Sequence, residues 1–166
     1  MDAEGLDEEL GSFADDIGLA YEELGFPRAW GRVLGWLLVC QPDFQSAEDL
    51  ATALHASKGS VSMATQALVR AGMVERQTLR GDRRTYFRLH AGAWASVIEE
   101  QTRNVIKLRE LAERGLTLLN GEPGGRRRRL EELQDLMALY EQETSVLLGR
   151  WQEHGQHASG VPTNDP

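Results

Sequence analysis

Two short segments carry the side chains that could recognise nucleic acid. Between Ser57 and Gln66 small hydroxyl residues, a lysine and a glutamine alternate with apolar residues, and three arginines surround Gly81-Asp82. Hydroxyl and amide groups can bond base edges and phosphates, and arginine is attracted by the negative potential of a narrow minor groove. The sequence therefore predicts a DNA-binding surface. Its candidate residues are Ser57, Lys58, Gly59, Ser60, Ser62, Met63, Gln66, Arg80, Asp82, Arg83 and Arg84.

The elements that position these residues are indicated by local signals. Ser46, followed by two acidic residues, is typical of a helix N-terminus, and that helix is expected to end near His55. A short turn then leads to a second helix, which ends near Ala71-Gly72 and turns Val61, Thr65, Leu68 and Val69 inward. Because Gly59 and Ser60 open this second helix, its free N–H groups are expected to meet a phosphate.

A basic hairpin follows the two helices. The segments Met73–Leu79 and Arg84–Leu89 alternate loosely in polarity around the turn Arg80–Arg83. Asp82 is expected to orient a neighbouring arginine through a charge-assisted pair. A helix, a turn, a second helix and a hairpin form a winged helix-turn-helix, which inserts its second helix into the major groove of DNA.

The charge distribution supports this interpretation, although the net charge of the 166-residue chain is −8. Residues 1–24 carry nine acidic and no basic side chains. Residues 25–90 carry nine basic and five acidic side chains, a net charge of +4, whereas residues 91–166 carry nine basic and twelve acidic, a net charge of −3. Only the middle third can attract a phosphate backbone, so the acidic flanks are expected to lie away from DNA.

The run from Leu50 to Trp94 resembles the DNA-binding domain of the MarR superfamily. Its SKGSVSM segment and GDRRTYF wing, together with the preceding PRAWGRVLGWLL, are similar to the GbsR-type branch. The resemblance implies a homodimeric bacterial transcription regulator, often a repressor that a small molecule releases from DNA. It also implies which residues form the start of the recognition helix and the Asp-x-Arg of the wing. They are Ser57, Lys58, Gly59, Ser60, Ser62, Asp82 and Arg84. Val61 and Ala64 depart from the branch, in which a polar residue and a longer side chain are common.

The whole chain is predicted to be mainly α-helical with a small β-hairpin. We expect an acidic amphipathic helix over 1–26, the winged helix-turn-helix over 27–92, a helical dimerisation region over 93–151 and a disordered tail over 152–166. Gly31 and Gly35 form a strip of small residues that another helix can approach closely.

Apolar stripes on the flanking helices predict a homodimer interface. The last helix has apolar residues at heptad spacing, which can form a seam between subunits or an internal hairpin with the preceding helix; both alternatives stay open. The candidate dimerisation residues are Leu6, Leu10, Phe13, Leu130, Leu133, Met137, Tyr140, Leu147 and Trp151.

Aromatic residues lie on elements that are expected to converge between the DNA-binding part and the dimerisation helices. They predict a pocket for a small apolar or cationic effector, the alternative being that these rings are simply core. The candidates are Tyr21, Phe26, Trp30, Trp36 and Trp94.

Other classes of function find no support. The sequence has no nucleophile beside a base, no phosphate loop and no metal-spaced histidines, so no enzyme, metal or cofactor is expected. The acidic N-terminus and the absence of a long apolar run argue against secretion and membrane insertion, so a cytoplasmic protein is expected. Cys40 is expected to be a buried, inert thiol. Arg126–Arg129 is interpreted as a solvated helix start paired with following acids, the alternative being nucleic-acid contact. The alternative to a DNA-binding function is that the winged helix binds another protein instead of DNA.

Overall fold

Six helices and a small antiparallel sheet follow one another along residues 3–121 and 124–158, the part of the chain that this computed structural model describes. The helices are α1 (Ala3–Glu23), α2 (Arg28–Val39), α3 (Ala47–Ala53), α4 (Lys58–Arg70), α5 (Ala93–Leu118) and α6 (Gly125–Ala158). The strands are β1 (Gln45–Ser46), β2 (Val74–Thr78) and β3 (Thr85–Leu89). The chain divides into two units between Trp94 and Ala95. The predicted fold class, mainly α with a winged helix-turn-helix, is confirmed.

Helix α2 packs against α1 through glycines. A Cβ atom on Gly31 would lie 2.5 Å from the carbonyl oxygen of Ile17, and one on Gly35 would lie 2.9 Å from Cα of Ala14. The predicted strip of small residues is therefore a close helix contact. Ala14 is fully buried, whereas Leu6 and Phe13, two of the candidate dimerisation residues on α1, remain exposed in the single chain.

Arg32 ties three helices of the first unit together. Its Nε forms an ion pair with Asp15 on α1, and its Nη2 donates a hydrogen bond of 2.7 Å to the carbonyl oxygen of Leu54. Leu54 is the C-cap of α3, so its carbonyl has no partner within that helix. The side chain of Arg32 thereby fixes the end of α3 against α2.

The helix-turn-helix is built from two capped helices. Ser46 and Asp49 form a capping box at the start of α3, with the Ser46 side chain accepting from the Asp49 N–H at 3.2 Å and Asp49 accepting from the Ser46 N–H at 3.0 Å. On α4 the predicted inward residues Val61, Thr65 and Leu68 are buried. Val69, which was also expected to point inward, is only half-buried, because Ala64 and Ala67 take the adjoining core positions.

The sheet has three strands in the order β1-β3-β2, one more than the predicted hairpin. Ser46 pairs with Tyr86, so the residue that caps α3 also belongs to the edge strand beside the wing. Glu75 and Arg88 are opposite each other in β2 and β3 and form an ion pair. Two residues are too few for a pattern of alternating polarity, which is why β1 was not predicted.

In the second unit α5 and α6 form an antiparallel pair within the chain. Thr102 donates to Thr144 at 3.2 Å, Arg109 pairs with Glu141 at 3.0 Å, and a Cβ atom on Gly115 would lie 2.8 Å from Leu130. The internal-hairpin alternative therefore describes this part of the heptad stripe.

The last helix is longer than predicted. It continues to Ala158, so residues 152–158 are helical and their assignment to a disordered tail is wrong. The prediction rested on a polar tail rich in Gly and Pro, but residues 152–158 contain no proline, and polar composition does not by itself end a helix. The remainder of the predicted tail, 159–166, lies outside the described residues.

We expect Gly31→Ala to lower the free energy of unfolding by about 1–3 kcal/mol, because its methyl group would meet the backbone of α1 and force the helices apart. Urea denaturation measures this change. Gly11→Ala is the matched control on the same pair of helices, since its Cβ would meet nothing within 4 Å. That variant should gain about 0.5–1 kcal/mol from reduced backbone entropy of the unfolded chain. A Gly31→Ala protein as stable as the control would contradict the close contact.

Candidate nucleic-acid interface

The N-terminus of α4 is organised by Ser57. This residue is the N-cap, and its Oγ accepts a hydrogen bond of 3.1 Å from the N–H of Ser60. Among the N–H groups expected to be free for a phosphate at this helix start, that of Ser60 is therefore already used by the cap in the unbound protein. Gly59 is exposed and adds no side chain here, so the first turn of α4 presents backbone to solvent.

The outer face of α4 presents an apolar residue between polar ones. Met63 is 67% exposed. Gln66 donates from Nε2 to Oγ of Ser62 at 3.0 Å, so the two side chains are held side by side on the surface. Four residues separate them, which is the spacing that brings helical side chains onto one face. This face offers a methionine, a hydroxyl and an amide to the width of a major groove.

Lys58 lies at the edge of this face. Its Nζ is 3.3 Å from Oε1 of Glu48 on α3, and both side chains are largely exposed. An exposed pair of this kind is weak and easily exchanged. A phosphate can therefore take the place of Glu48 as the partner of Lys58.

In the wing, Asp82 holds two neighbouring side chains in place. Its Oδ2 accepts hydrogen bonds from Nε and Nη2 of Arg84, at 3.0 and 2.8 Å, and from the hydroxyl of Tyr86 at 2.7 Å. Its Oδ1 accepts from the backbone N–H of Arg84 at 2.8 Å. The guanidinium of Arg84 also lies over the ring of Tyr86, 5.2 Å from the centroid. The predicted orientation of an arginine by Asp82 is confirmed.

These contacts keep Asp82 ionised. Hydrogen bonds from Arg84, followed by that from Tyr86, hold the pKa of its carboxyl well below the usual value of 3.8. The same carboxylate raises the pKa of Arg84 and that of Tyr86. Because the pKa of Asp82 is depressed, its paired state is complete above the ordinary carboxyl value and is lost only in stronger acid.

The wing tip leaves its other arginines in solvent. Gly81 has φ +86°, a conformation that suits glycine, and the N–H of Asp82 donates to the carbonyl of Leu79 at 3.1 Å to close the turn. Arg80 and Arg83 are exposed, and no ion pair involves them in the described part of the chain. Sequence reasoning found these arginines but missed Tyr86, whose only signal was its position four residues after Asp82.

Of the five aromatic residues expected in an effector pocket, Tyr21, Phe26 and Trp30 lie together, whereas Trp36 and Trp94 are not part of their cluster. Tyr21 and Phe26 have ring centroids 5.8 Å apart, and Phe26 and Trp30 are 6.0 Å apart. Trp36 instead lines a separate cavity beside β3, and Trp94 is 47% exposed. The convergence failed because Trp30 and Trp36 lie six residues apart on α2, where the helix turns them to different sides.

Several other sequence features have a defined place. Cys40 is buried as predicted, and that burial raises the pKa of its thiol.

Arg127 donates to the carbonyl oxygens of Leu116 and Leu119 at the end of α5 and pairs with Glu131 at 3.4 Å. In the arginine run, this side chain therefore caps a neighbouring helix. No described helix is long and apolar enough to cross a membrane.

Comparison with known proteins relates the chain to regulators of transcription. A model of the MarR family matches residues 24–85, and a model of MmpR5-like MarR family transcriptional regulators matches residues 92–154. The HTH-type transcriptional regulator MmpR5 of Mycobacterium tuberculosis (strain ATCC 25618 / H37Rv) is 42% identical over 153 residues, which cover 92% of this chain and 93% of MmpR5. The chain belongs to the MarR family.

A solved structure agrees with this assignment. A crystal structure of a transcriptional regulator is 43% identical, covers 87% of this chain and 99% of its own, and superposes with a TM-score of 0.76. This MarR-family protein is therefore a DNA-binding transcription regulator with a winged helix-turn-helix. Its family and its relative are regulators, which places it outside the enzymes.

In this MarR-family regulator we expect Asp82→Ala to weaken binding to DNA by about fivefold, although it removes a negative charge from the wing. The reason is that Arg84 and Tyr86 lose the carboxylate that holds them. Fluorescence anisotropy with a labelled duplex measures the affinity. Asp16→Ala on α1 removes the same charge at a position far from the wing along the chain. This control should leave the affinity for DNA unchanged or slightly higher. Tighter binding by Asp82→Ala would show that simple charge repulsion outweighs orientation.

Proposed function

We propose that this regulator binds DNA as a homodimer, with α4 of each protomer in the major groove and the wing along the neighbouring minor groove. The observation that carries the proposal is the pairing of an exposed polar face on α4 with an arginine-rich wing whose Arg84 is held by Asp82. Both elements belong to residues 25–90, which carry a net positive charge, whereas residues 1–24 and 91–166 carry net negative charges. A cytoplasmic location fits this function.

The two elements have different tasks in this proposal. The start of α4 meets phosphates through Ser57, Lys58, Gly59 and Ser60. The N–H of Ser60 either leaves the Oγ of Ser57 for a phosphate oxygen or donates to both oxygens at once. Ser62, Met63 and Gln66 face base edges. The exposed Met63 supports this, because a solvent-facing methionine can pack against thymine methyl groups.

On the wing, Arg80, Arg83 and Arg84 supply positive charge along a narrow ribbon. Arg80 and Arg83 are free to follow the phosphates, whereas Arg84 is oriented before DNA arrives. An arginine that is already oriented loses less conformational freedom on binding than a free one. The wing therefore adds affinity that depends on groove shape and salt more than on base identity.

Self-association is supported by apolar side chains that the single chain leaves uncovered. Leu6 and Phe13 on α1, and Tyr140, Leu147 and Trp151 on α6, are exposed. Leu10, Leu130, Leu133 and Met137 are half-buried, and Leu130 contacts α5 of its own chain. The proposed interface uses the exposed members of this set, and the half-buried members complete it at the edges.

Regulation is proposed to be repression that a small molecule relieves, as the family resemblance implies. The cluster of Tyr21, Phe26 and Trp30 is one candidate wall for an apolar ligand, and Trp30 also lines a cleft of about 290 Å³ beside α4. The GbsR-type assignment within the family, based on the SKGSVSM and GDRRTYF segments, stays a prediction.

Salt titration of DNA affinity separates the tasks of α4 and the wing. Arg83→Ala and Arg84→Ala should weaken binding to specific and random duplexes alike, and should lower the salt slope by about one unit per lost phosphate contact.

Ser62→Ala and Gln66→Ala should leave the salt slope unchanged and reduce discrimination between base pairs by roughly 1–3 kcal/mol. The duplex is taken from DNA upstream of the regulator's own gene. Arg150→Ala, on α6, is a matched control for the loss of one arginine. If the wing variants behave like this control at every salt concentration, the wing does not contact DNA.

Light scattering after size exclusion should give about twice the chain mass of 18.5 kDa. The double variant Leu147→Glu/Trp151→Glu should shift the mass towards the monomer, because it introduces charges into an apolar interface. Both side chains are exposed in the single chain, so the variant should keep its fold. Met63→Glu is the control, since it adds a charge at an equally exposed apolar position on α4. A wild-type monomer at micromolar concentration, or equal dissociation by the control, would contradict the proposed interface.

A further inference from the structure

A cavity of about 930 Å³ opens beside the base of the wing, within the first unit. It lies between the start of α1, the end of α2, the segment before β1, α3 and β3. We call it the wing-base cavity and define it by Asp7, Glu8, Trp36, Phe44, Asp49 and Tyr86. Its volume is at the upper end of the range for sites that hold drug-sized molecules.

The charges on its wall favour a cation. Asp7, Glu8 and Asp49 contribute three carboxylates, and neither Asp7 nor Glu8 forms an ion pair among the described residues. Arg84 also lines the cavity, but Oδ2 of Asp82 lies 2.8 Å from its Nη2 and balances its charge. The wall is therefore negative, and in a concave site with low-dielectric sides such a field is concentrated.

The rest of the wall is aromatic. Phe44 and Tyr86 meet edge to face with centroids 5.3 Å apart, and Trp36 completes the set. The face of Tyr86 already attracts a cation, the guanidinium of Arg84. Aromatic faces bind organic cations, whose charge is spread over apolar groups. No cluster of three ligating side chains suited to a metal ion occurs in the described part of the chain, which favours an organic cation over a metal.

We propose that the wing-base cavity binds an organic cation with aromatic or apolar substituents, and that the bound cation displaces the guanidinium of Arg84. Arg84 and the ligand are both cations that can lie against the ring of Tyr86, so they compete for the same ring. The wing then loses the orientation that Asp82 and Tyr86 impose, and affinity for DNA falls. This coupling rests on the proposed role of Arg84 at DNA, and it assigns the effector's chemical class and site.

The first measurement tests the site without DNA. Isothermal titration calorimetry of the full chain uses tetraphenylphosphonium, with tetraphenylborate as an anion of the same shape. The cation should bind at least about tenfold more tightly than the anion, since three carboxylates face it. Equal affinities for the two ions, or no binding of the cation, would overturn the proposal.

Paired variants locate the binding. Asp7→Asn/Glu8→Gln should weaken tetraphenylphosphonium about fivefold or more, because both carboxylates line the cavity. Glu9→Gln/Asp16→Asn removes two carboxylates from the same helix, neither of which lines the cavity, and should bind like the wild type. Asp49 is left intact because it caps α3. Equal losses in the two variants would mean that the cation responds only to overall charge, which contradicts the site.

The second measurement tests the coupling. Saturating tetraphenylphosphonium should lower the affinity of the wild type for DNA, and DNA should lower the affinity for the cation by the same factor. Arg84→Ala should still bind the cation but lose this linkage. Cation binding with unchanged DNA affinity would overturn the displacement of Arg84. A wild type that binds no DNA would instead overturn the proposed function, and the calorimetric result would decide the site by itself.

Discussion

The close approach of α1 to α2 is the contact on which the arrangement of the first unit depends. With glycine at positions 31 and 35, backbone meets backbone, and the dispersion attraction between the two helices is gained without ordering any long side chain. This position of α2 then allows Arg32 to reach Asp15 on one side and the end of α3 on the other. The recognition helix packs on the same scaffold through its buried residues, so the glycines indirectly set where α4 stands.

The wing presents positive side chains on a chain whose net charge is negative, and it holds part of that positive charge in a fixed direction. Asp82 neutralises one of three arginines and in return fixes its direction, and Tyr86 anchors the cluster to the sheet because it is buried in β3. Arg80 and Arg83 have no carboxylate partner in the described part of the chain. The wing therefore combines one oriented guanidinium with two exposed ones, which in the proposed complex can adapt to phosphates.

Tyr86 belongs to both the wing and the wing-base cavity. Its hydroxyl donates to Asp82, its ring lies under Arg84, and the same ring meets that of Phe44 edge to face on the cavity wall. A residue shared in this way is a short physical path between a ligand and the DNA-facing surface. The proposed coupling does not require a large movement of helices, because Asp82, Arg84 and Tyr86 are already in contact.

Local signals in the sequence determined several of the helix starts and short-range contacts of this protein. Ser46 marked the start of α3, Gly31 and Gly35 marked a close helix contact, and the pairing of Asp82 with a neighbouring arginine followed from their closeness along the chain; the structure showed that the arginine is Arg84 and that Ser57 caps α4. The family resemblance also came from contiguous motifs. All of these depend on residues that are neighbours along the chain or along one helix, where geometry is nearly fixed by the backbone.

Tertiary structure decided the rest. The hydrogen bond from Arg32 to Leu54 joins residues 22 apart, and β1 exists only because Gln45 and Ser46 meet β3 about 40 residues later. The separation of Trp36 from Trp30, and the placing of Asp7 and Tyr86 on the wall of one cavity, have the same origin. Contacts of this kind have no periodicity that marks them in advance, because they depend on how whole helices pack, and packing is chosen by the combined burial of many side chains at once.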